Sequence, residues 1–596
     1  MNQNGKPRYD FLGIAFAVVG IAIIAAMIRI ETSEDADVFR AQGESYRGGY
    51  ETVYPERGSI YDRDEHLLAG NEKVYEVGIN LMDVNAENDD PQAIATVINQ
   101  VLGLDYADVL AKASTPFQEG TSVYYKIYDL ASSDQVNQLE KLVDEYANAP
   151  TLRRGGTKPS LKALSFTPHL RRSYPEHTLA ANVLGFYSFQ DTETGKGYFG
   201  VEEKYNDLLS GTPQKIWVSN DPQLAKEVPT IPPGASLILT IDREIQSMVE
   251  DELDKALKST GAVGGTIIIL DPETGEVLSM AATPRMDPNE YWKYNEVYPD
   301  STPFNRAVGT TYEPGSVFKV LTMASALDKG AVKPDTPFND TGSFLIGGFY
   351  IHNWDGGAWG PQDMVGCMQH SLNVCLAWVA TQLGTDNFYN YIRAFGIGHT
   401  TGIDLAGEVN YPLRLPGDNQ WYDVDLGTNS FGQGIAVTPI QIATAISAVA
   451  NDGKMMAPHV LKAMVDNGRQ YNTTPQVMGT PISADTAHTL TSMLVTSLEK
   501  ESSDALVPGY TMAGKTGTAE IPGPTGYSTS LTNASFVGWG PADDPKFLVY
   551  IWLEKPTSSQ WGSVVAAPVF SDVVKKLVVL MNIPPDDVRK QLAVNP

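Results

Sequence analysis

Pro314-Gly315-Ser316-Val317-Phe318-Lys319 is the stretch that decides the interpretation of this chain of 596 residues. The Pro-Gly break predicts that a helix begins near Ser316, and the apolar residues 317–327 predict that this helix is buried. Ser316 and Lys319 are three residues apart and therefore share one helical face. A lysine accepts the proton of a serine hydroxyl only when its amine is neutral. Burial, the positive helix N-terminus and a second cation nearby all disfavour the protonated amine.

The Ser-x-x-Lys pattern carries little weight by itself. Ser497-Leu498-Glu499-Lys500 matches it too, and there the amphipathic setting predicts a solvated helix surface. For Ser316, the plainer alternative is a helix cap followed by a lysine that extends to solvent. Two further elements favour catalysis: Ser371-Leu372-Asn373 opens a second apolar helix, and Lys515-Thr516-Gly517-Thr518 lies in a predicted strand. The three elements in this order are the signature of penicillin-binding proteins and serine β-lactamases.

With these motifs, the sequence resembles a class B, monofunctional penicillin-binding protein, a peptidoglycan D,D-transpeptidase. Five further elements carry the resemblance along nearly the whole chain: Arg57-Gly58-Ser59-Ile60-Tyr61-Asp62-Arg63, Arg172-Ser173-Tyr174-Pro175, Gly200-Val201-Glu202, Asp271-Pro272-Glu273-Thr274-Gly275-Glu276 and Gly432-Gln433-Gly434. The resemblance implies an α/β fold of the α+β type, with a five-stranded antiparallel sheet covered by helices. An elongated α+β pedestal and one N-terminal transmembrane helix are expected to precede it.

The resemblance also implies catalytic roles for four residues. Ser316 is expected to attack the carbonyl between two terminal D-alanines of a stem peptide, and Lys319 to accept its proton. Ser371 is expected to help relay a proton towards the leaving amine. Lys515 is expected to keep Lys319 neutral and to attract the terminal carboxylate. The backbone N–H groups of Ser316 and Thr518 are expected to form the oxyanion hole.

Four further residues are expected to bind the substrate. Asn373 would hold the substrate amide, and the hydroxyls of Thr516 and Thr518 would hold the terminal carboxylate. Gly517 would leave room for the substrate along the strand. The partners implied are peptidoglycan stem peptides, β-lactams and a membrane-embedded glycosyltransferase of the SEDS type, since a monofunctional transpeptidase polymerises no glycan itself.

Composition limits the other possibilities. The net charge of −28 argues against nucleic-acid binding, because an anionic surface repels phosphates. The 8 histidines and 2 cysteines form neither HExxH nor CxxC, so we expect no metal site, and no cofactor is expected. Core packing is the favoured interpretation of Cys367 and Cys375, with a disulfide as the alternative. His370, which precedes Ser371, receives no role.

The N-terminal residues predict a single membrane span. No residue from Phe11 to Ile28 is charged, and a helix of that length covers about 27 Å, enough to cross a bilayer core. Lys6 and Arg8 precede it, which predicts a cytoplasmic N-terminus and an extracytoplasmic bulk. A cleavable signal peptide is the rival interpretation. We predict a cytoplasmic tail at 1–10, a membrane helix at 11–30 and a pedestal domain at 31–235. A transpeptidase domain is predicted at 236–585, followed by a C-terminal tail at 586–596.

Hydrophobic periodicity outlines the secondary structure. We predict helices at 134–146, 316–329, 371–384, 437–452 and 564–581. Strands are predicted at 265–270, 276–282, 510–520, 534–538 and 547–553. This order favours a mainly antiparallel sheet covered by helices. The segments 283–315 and 330–365 are rich in Gly, Pro, Asn and aromatic residues, as long functional loops are.

Two nucleotide-type patterns are interpreted as coincidences. Residues 509–516 fit the P-loop pattern, but neither a buried strand before them nor a helix after them is predicted. Residues 195–200 fit G-x-G-x-x-G after a polar turn, and we predict a loop there. The remaining alternatives are a serine β-lactamase or β-lactam sensor, and an inactive structural component of the cell-wall machinery. Among transpeptidase roles, septal division is favoured over elongation, because the chain ends soon after the last helix.

Overall fold

The computed structural model describes residues 6–33, 36, 48–86, 89–120, 123–148, 160–188, 195–219, 231–299, 302–501, 503–523 and 526–594. Chain contacts divide the protein into two compact units. The first consists of Met1–Glu56 with Ser210–Gly234, and the second of Arg57–Leu209 with Ala235–Pro596. The pedestal predicted at 31–235 is thus shared between the two units, and its limits stay a prediction.

The first unit contains the apolar helix and a two-stranded ribbon. The helix Lys6–Glu31 begins inside the segment predicted as a tail, and its part Phe11–Glu31 is long and apolar enough to cross a membrane. Most of the residues between this helix and Gly48, which belong to the predicted pedestal, lie outside the described residues. The ribbon pairs Gly48–Val53 with Gln214–Ser219 in antiparallel register.

In the second unit, the pedestal is built around one long strand, Leu67–Asn80. It pairs antiparallel with both Tyr124–Ser132 and Leu164–Ser173. The helices that pack against these strands are Pro91–Leu102, Tyr106–Ala113 and Ser133–Asn148. The last confirms the helix predicted at 134–146, and it buries Val136 and Leu139 at helical spacing. Shorter elements are the helices Leu81–Ala86, Ala181–Leu184, Gly200–Lys204 and Asn206–Ser210 and the strand pair Phe186–Ser188 and Lys196–Tyr198.

The pedestal sheet continues across the boundary predicted at 235. Ile60–Tyr61 pairs in parallel with Ser236–Leu239, which pairs antiparallel with Leu461–Asp466. A strand of two residues carries too little periodicity to be predicted from sequence. Residues 195–200 are also not the predicted loop, because a short strand and a helix start occupy them.

The chain from Gly264 onwards contains a five-stranded sheet in which every neighbouring pair is antiparallel. Its strands, in spatial order, are Val277–Ala282, Gly264–Leu270, Phe547–Glu554, Gly526–Gly540 and Ala513–Gly523. The predicted antiparallel sheet is therefore confirmed. The strand predicted at 534–538 is much longer than expected, and the strand predicted from residue 510 begins at Ala513.

Helices cover both faces of this sheet. Along Phe547–Glu554, side chains alternate between a core shared with Arg243–Thr260 and Ala567–Leu580 and a core shared with Lys319–Asp328 and Pro439–Ala450. Two covered faces explain why the strand is apolar from Phe547 to Leu553. The other helices of this region are Tyr294–Val297, Arg306–Gly309, Met364–Gln369, Asn373–Leu383, Thr385–Ala394, Asp423–Asn429, Ala484–Glu501, Gly562–Val565 and Asp586–Val594. The smaller strand pairs are Phe338–Asp340 with Gly360–Gln362, Ser343–Ile346 with Phe349–His352, and Met455–Met456 with Val477–Gly479, and Arg469–Asn472 extends Leu461–Asp466.

Three predicted segments differ in detail. The final helix is two helices, Gly562–Val565 and Ala567–Leu580, and Pro568 lies in the first turn of the second, where its missing N–H is tolerated. The segment predicted as a C-terminal tail contains the helix Asp586–Val594. Within the loop predicted at 330–365, the structure forms two short antiparallel pairs.

Candidate active site

Ser316 lies in a tight 3-10 turn, Gly315–Phe318, directly before the helix Lys319–Asp328. The predicted helix is therefore confirmed, but its first turn is wound more tightly than an α-helix. Gly315 has φ +60 and lies against the carbonyl oxygen of Thr518, which a Cβ at this position would meet at 2.5 Å. The Pro-Gly break thus places the turn Gly315–Phe318, called the Ser316 segment below, in direct contact with the strand Ala513–Gly523.

Lys319 is fully buried at 0% exposure. Its amine is surrounded by oxygen atoms of Ser371-Leu372-Asn373, the second of the three sequence motifs. Nζ lies 2.6 Å from the carbonyl oxygen of Ser371, 3.1 Å from its hydroxyl oxygen and 2.8 Å from Oδ1 of Asn373. The plainer sequence alternative, a lysine that extends to solvent, is therefore wrong. The structure brings the predicted first and second motifs together.

Ser371 has φ +53, in the left-handed region that non-glycine residues rarely adopt. In this conformation both its carbonyl and its hydroxyl oxygen contact Lys319. The hydroxyl also accepts a hydrogen bond from Nζ of Lys515 at 3.0 Å. Backbone strain of this kind is typical of active sites, where the surrounding structure holds it in place.

Burial decides the protonation of the two lysines. Desolvation, reinforced by the charge of Lys515, lowers the pKa of Lys319 well below its usual 10.5. Desolvation also lowers the pKa of Lys515 to about 8, against the opposing effect of the Glu501 carboxylate. Lys319, whose pKa the charge of Lys515 lowers further, is therefore the amine that gives up its proton more readily, and Lys515 is the one that keeps its charge.

The strand Ala513–Gly523 presents Thr516 and Thr518 to the cleft and keeps Lys515 and Gly517 on its buried side. The Thr518 hydroxyl oxygen accepts a hydrogen bond from the backbone N–H of Gly562 at 3.0 Å. A Cβ at position 517 would meet the Ser535 hydroxyl and, at 2.9 Å, Cγ1 of Val317. Gly517 therefore makes room for the Ser316 segment. This role differs from the expected one, which was to leave room for the substrate along the strand.

A cleft of about 710 Å³ contains Ser316, Ser371, Asn373, Thr516 and Thr518 along its walls. Sequence reasoning missed the other polar and aromatic side chains that line it, which include Trp354, Trp359, His370, Glu501, Glu520 and Trp561. The Trp359 ring stacks on His370 at 4.2 Å, and His370 Nδ1 lies 2.7 Å from the Glu501 carboxylate. The aromatic composition of 330–365 was the signal for the two tryptophans from that segment.

Cys367 and Cys375 form a disulfide across the second motif, with their Cα atoms 6.0 Å apart. The favoured interpretation, two separately packed thiols, is wrong. Both residues are fully buried. Spacing along the sequence gave no indication of the pairing, because the residues between them fold back to bring the two sulfur atoms together.

The remaining sequence patterns form no second site. Ala513–Gly523 is a strand where a P-loop needs a helix start, so residues 509–516 are not a P-loop. In the second Ser-x-x-Lys match, Ser497 is buried whereas Lys500 is exposed, so the two side chains do not share a site.

The family models agree with this geometry. The "Penicillin binding protein transpeptidase domain" matches residues 265–575, and the "Penicillin-binding Protein dimerisation domain" matches residues 52–228. The chain belongs to the penicillin-binding protein transpeptidase family. Within this family, stage V sporulation protein D of Bacillus subtilis is 30% identical over 89% of this chain and 79% of its own length.

Two further members are similar along most of this penicillin-binding protein. Peptidoglycan D,D-transpeptidase FtsI of Buchnera aphidicola is 29% identical over 71% of this chain and 72% of its own length. The crystal structure of penicillin-binding protein 2X from Streptococcus thermophilus superposes with a TM-score of 0.72, at 21% identity, over 89% of this chain and 80% of that one. The class B transpeptidase fold implied by the motifs is confirmed.

Proposed function

We propose that this protein is a serine-type peptidoglycan D,D-transpeptidase, which cross-links stem peptides through an acyl-enzyme on Ser316. The observation that carries the proposal is the buried Lys319 amine, three residues from Ser316 and in contact with the second motif. A neutral amine in this place is the base that a serine nucleophile needs. Family membership and the names of the relatives support the same activity.

In the acylation step, the Ser316 hydroxyl oxygen attacks the carbonyl carbon between the terminal D-alanines, and Lys319 accepts the hydroxyl proton. The backbone N–H groups of Ser316 and Thr518 stabilise the negative oxygen that develops. The close packing of Gly315 on Thr518 supports this pairing of donors.

Ser371 and Lys515 then serve the leaving group. The Ser371 hydroxyl touches both amines, so a proton taken up by Lys319 has a path through this hydroxyl to the departing D-alanine amine. The positive charge of Lys515 stabilises the terminal carboxylate of the substrate, and this interaction offsets the hydration that the carboxylate loses on binding.

Substrate binding is assigned to Thr516, Thr518 and Asn373, and Gly517 is assigned to the packing that supports them. The hydroxyls of Thr516 and Thr518 hold the terminal carboxylate, and Gly517 allows the strand to lie close enough to the nucleophile. One N–H of the Asn373 amide donates to the carbonyl oxygen of His352 at 3.2 Å, which leaves its second N–H for the substrate amide.

The acyl-enzyme is resolved by an amine of a neighbouring stem peptide, which forms the cross-link. β-Lactams acylate the same serine and leave it slowly. A serine β-lactamase with the same motifs would release the β-lactam within seconds, so a deacylation time course separates the two functions. An inactive structural component would not be labelled.

The decisive experiment is acylation of the full-length protein by a fluorescent penicillin, followed by mass mapping of the labelled peptide. We expect the label on Ser316 and a stable adduct. Ser316→Ala should abolish labelling, and Lys319→Ala should reduce it at least a thousandfold, because the two residues act as one unit. Thermal unfolding midpoints check that both variants are folded. Undiminished labelling of either variant would contradict the proposal.

We further propose a single-pass topology with a cytoplasmic N-terminus, a septal role and a SEDS-type glycosyltransferase as partner. Lys6 and Arg8 before the apolar helix support the orientation. Relatives of the FtsI type support the septal role. Reporter fusions at the N-terminus test the orientation, and co-purification from native membranes tests the partner.

A further inference from the structure

The disulfide between Cys367 and Cys375 encloses the second motif. Cys367 lies in the helix Met364–Gln369 and Cys375 in the first turn of Asn373–Leu383, so that the bond closes a loop containing Ser371 and Asn373. Both cysteines are fully buried, and the amide of Leu372 donates to the carbonyl oxygen of Cys367 at 3.0 Å. The bond is therefore part of the core under the motif and not a surface crosslink.

Within the described part of the chain, the three oxygen atoms within hydrogen-bonding distance of the Lys319 amine belong to this closed loop. Two come from Ser371 and one from Asn373. The disulfide thus joins the two ends of the segment, 367–375, that contacts the amine of the proposed base, Lys319. A shift of this segment would change these three contacts of the buried amine together.

The loop also contains a backbone conformation that needs support. Ser371 has φ +53, and the helix that follows begins at Asn373 without a side-chain cap. A free segment would relax towards a more favourable backbone, which would withdraw the Ser371 oxygen atoms from Lys319. A crosslink between residues 367 and 375 restricts this relaxation.

We propose that the Cys367–Cys375 disulfide is a positioning element of the active site, which holds Ser371 and Asn373 on the amine of Lys319. This inference rests on the proposed function, since it assigns Lys319 as the base. The disulfide itself contacts no substrate and takes no part in the chemistry. Its removal should slow acylation of protein that is otherwise folded, and should change the pH at which the base becomes competent.

The test compares the wild-type chain with the Cys367→Ala/Cys375→Ala double variant, both full length in detergent. We expect the second-order rate constant for acylation by fluorescent penicillin to fall at least tenfold. The ascending limb of its pH profile should move to higher pH, because a loosened site admits water and raises the pKa of the Lys319 amine. A purely structural disulfide would leave the pH profile of the folded protein unchanged.

Val573→Ala is the matched control, because Val573 is fully buried in Ala567–Leu580 and belongs to the core that does not contain Lys319. It should lower the thermal midpoint without moving the pH profile. The proposal is overturned if the double variant behaves like this control, or if it acylates faster than the wild type.

Two further preparations keep the test decisive if the double alanine variant does not fold. Cys367→Val with Cys375→Ala preserves more of the buried volume. Wild-type protein folded under reducing conditions, with its free thiols counted by mass spectrometry, removes the bond without any substitution. Equal rates in reduced and oxidised wild-type protein would overturn the proposal. Failure of the oxidised wild type to label at Ser316 would instead contradict the proposed function.

Discussion

The amines of Lys319 and Lys515 both lie within hydrogen-bonding distance of one shared atom, the hydroxyl oxygen of Ser371, at 3.1 and 3.0 Å. Two buried amines that contact the same oxygen atom repel each other when both are protonated, so one of them loses its proton more readily. Lys319 is the one that loses its proton, because it is more deeply buried and the charge of Lys515 opposes its own. Glu501 favours the charged form of Lys515. The arrangement thus divides the two functions, base and anion attractor, between the two lysines.

The first prediction concerns the pH dependence of acylation. The rate should rise as Lys319 loses its proton, at a pH well below 10.5, and should fall as Lys515 loses its proton near pH 8. Lys515→Arg should move the descending limb upwards by more than one pH unit, since a guanidinium keeps its charge. The measurement is the rate constant for acylation by fluorescent penicillin between pH 5 and 10. The exposed Lys500→Arg is the control, and a descending limb that stays near 8 in Lys515→Arg would contradict the assignment.

The second prediction concerns Gly517. Alanine at this position should slow acylation roughly tenfold or more, because its Cβ would displace Val317 and the adjoining Ser316 segment from the strand. Ser535→Ala in the same chain should restore part of the rate, since it removes the Ser535 hydroxyl that the new Cβ meets. Gly523→Ala, near the exposed end of the same strand, should have little effect. Equal rates in Gly517→Ala and the wild type would show that the close packing is unnecessary.

The third prediction concerns Glu313, which precedes the Ser316 segment. Its Oε1 accepts hydrogen bonds from the Gly434 amide and the Tyr527 hydroxyl, both at 3.1 Å. Burial raises its pKa from the usual 4.5 to about 6, a shift that Arg414 opposes and the Glu520 carboxylate reinforces. The folded state therefore binds the proton more tightly than the unfolded state, and stability falls as pH rises between these two values.

The stability of Glu313→Gln should lack this dependence. Between pH 4.5 and 7, the free energy of unfolding of the wild type should fall by about 2 kcal/mol relative to the variant. Thermal midpoints of both proteins, measured across this range, give the difference. Glu273→Gln, in an exposed turn, is the control. A difference between wild type and Glu313→Gln that does not vary with pH would contradict the prediction.

The fourth prediction concerns a buried ion cluster in the pedestal. Glu202 is 0% exposed and accepts hydrogen bonds from Arg57 at 2.8 Å and Arg172 at 2.7 Å. The two guanidinium groups lower the pKa of Glu202 in spite of its burial. Glu202→Gln leaves two buried cations without their counter-charge, so we expect a loss of about 3–5 kcal/mol in stability.

A thermal unfolding midpoint measured at neutral pH checks this loss. Glu72→Gln removes an exposed carboxylate from the strand Leu67–Asn80 and should change the midpoint little. If the two variants unfold at the same temperature, the Glu202 cluster contributes no more than a surface charge.

Much of the catalytic half could be predicted because its signals are local. The apolar run from Phe547 to Leu553 predicted a buried strand, and the Pro-Gly break predicted where the Ser316 segment turns. The strand Gly526–Gly540 was only partly predicted, because its first residues are polar and are paired through the neighbouring strand Ala513–Gly523. Strand pairing of this kind depends on a distant partner and leaves no periodicity in the sequence.

The sequence by itself determined which reactive groups the protein carries and their order along the chain, since Ser316, Lys319, Ser371 and Lys515 stand in motifs of fixed local spacing. Only the tertiary structure decided that the pKa of Lys319 lies well below its usual value, because desolvation and the charge of Lys515 arise from packing between segments far apart in sequence. It also decided that the two cysteines are joined across the second motif. Local spacing specifies side chains, whereas long-range packing sets the environment in which they react.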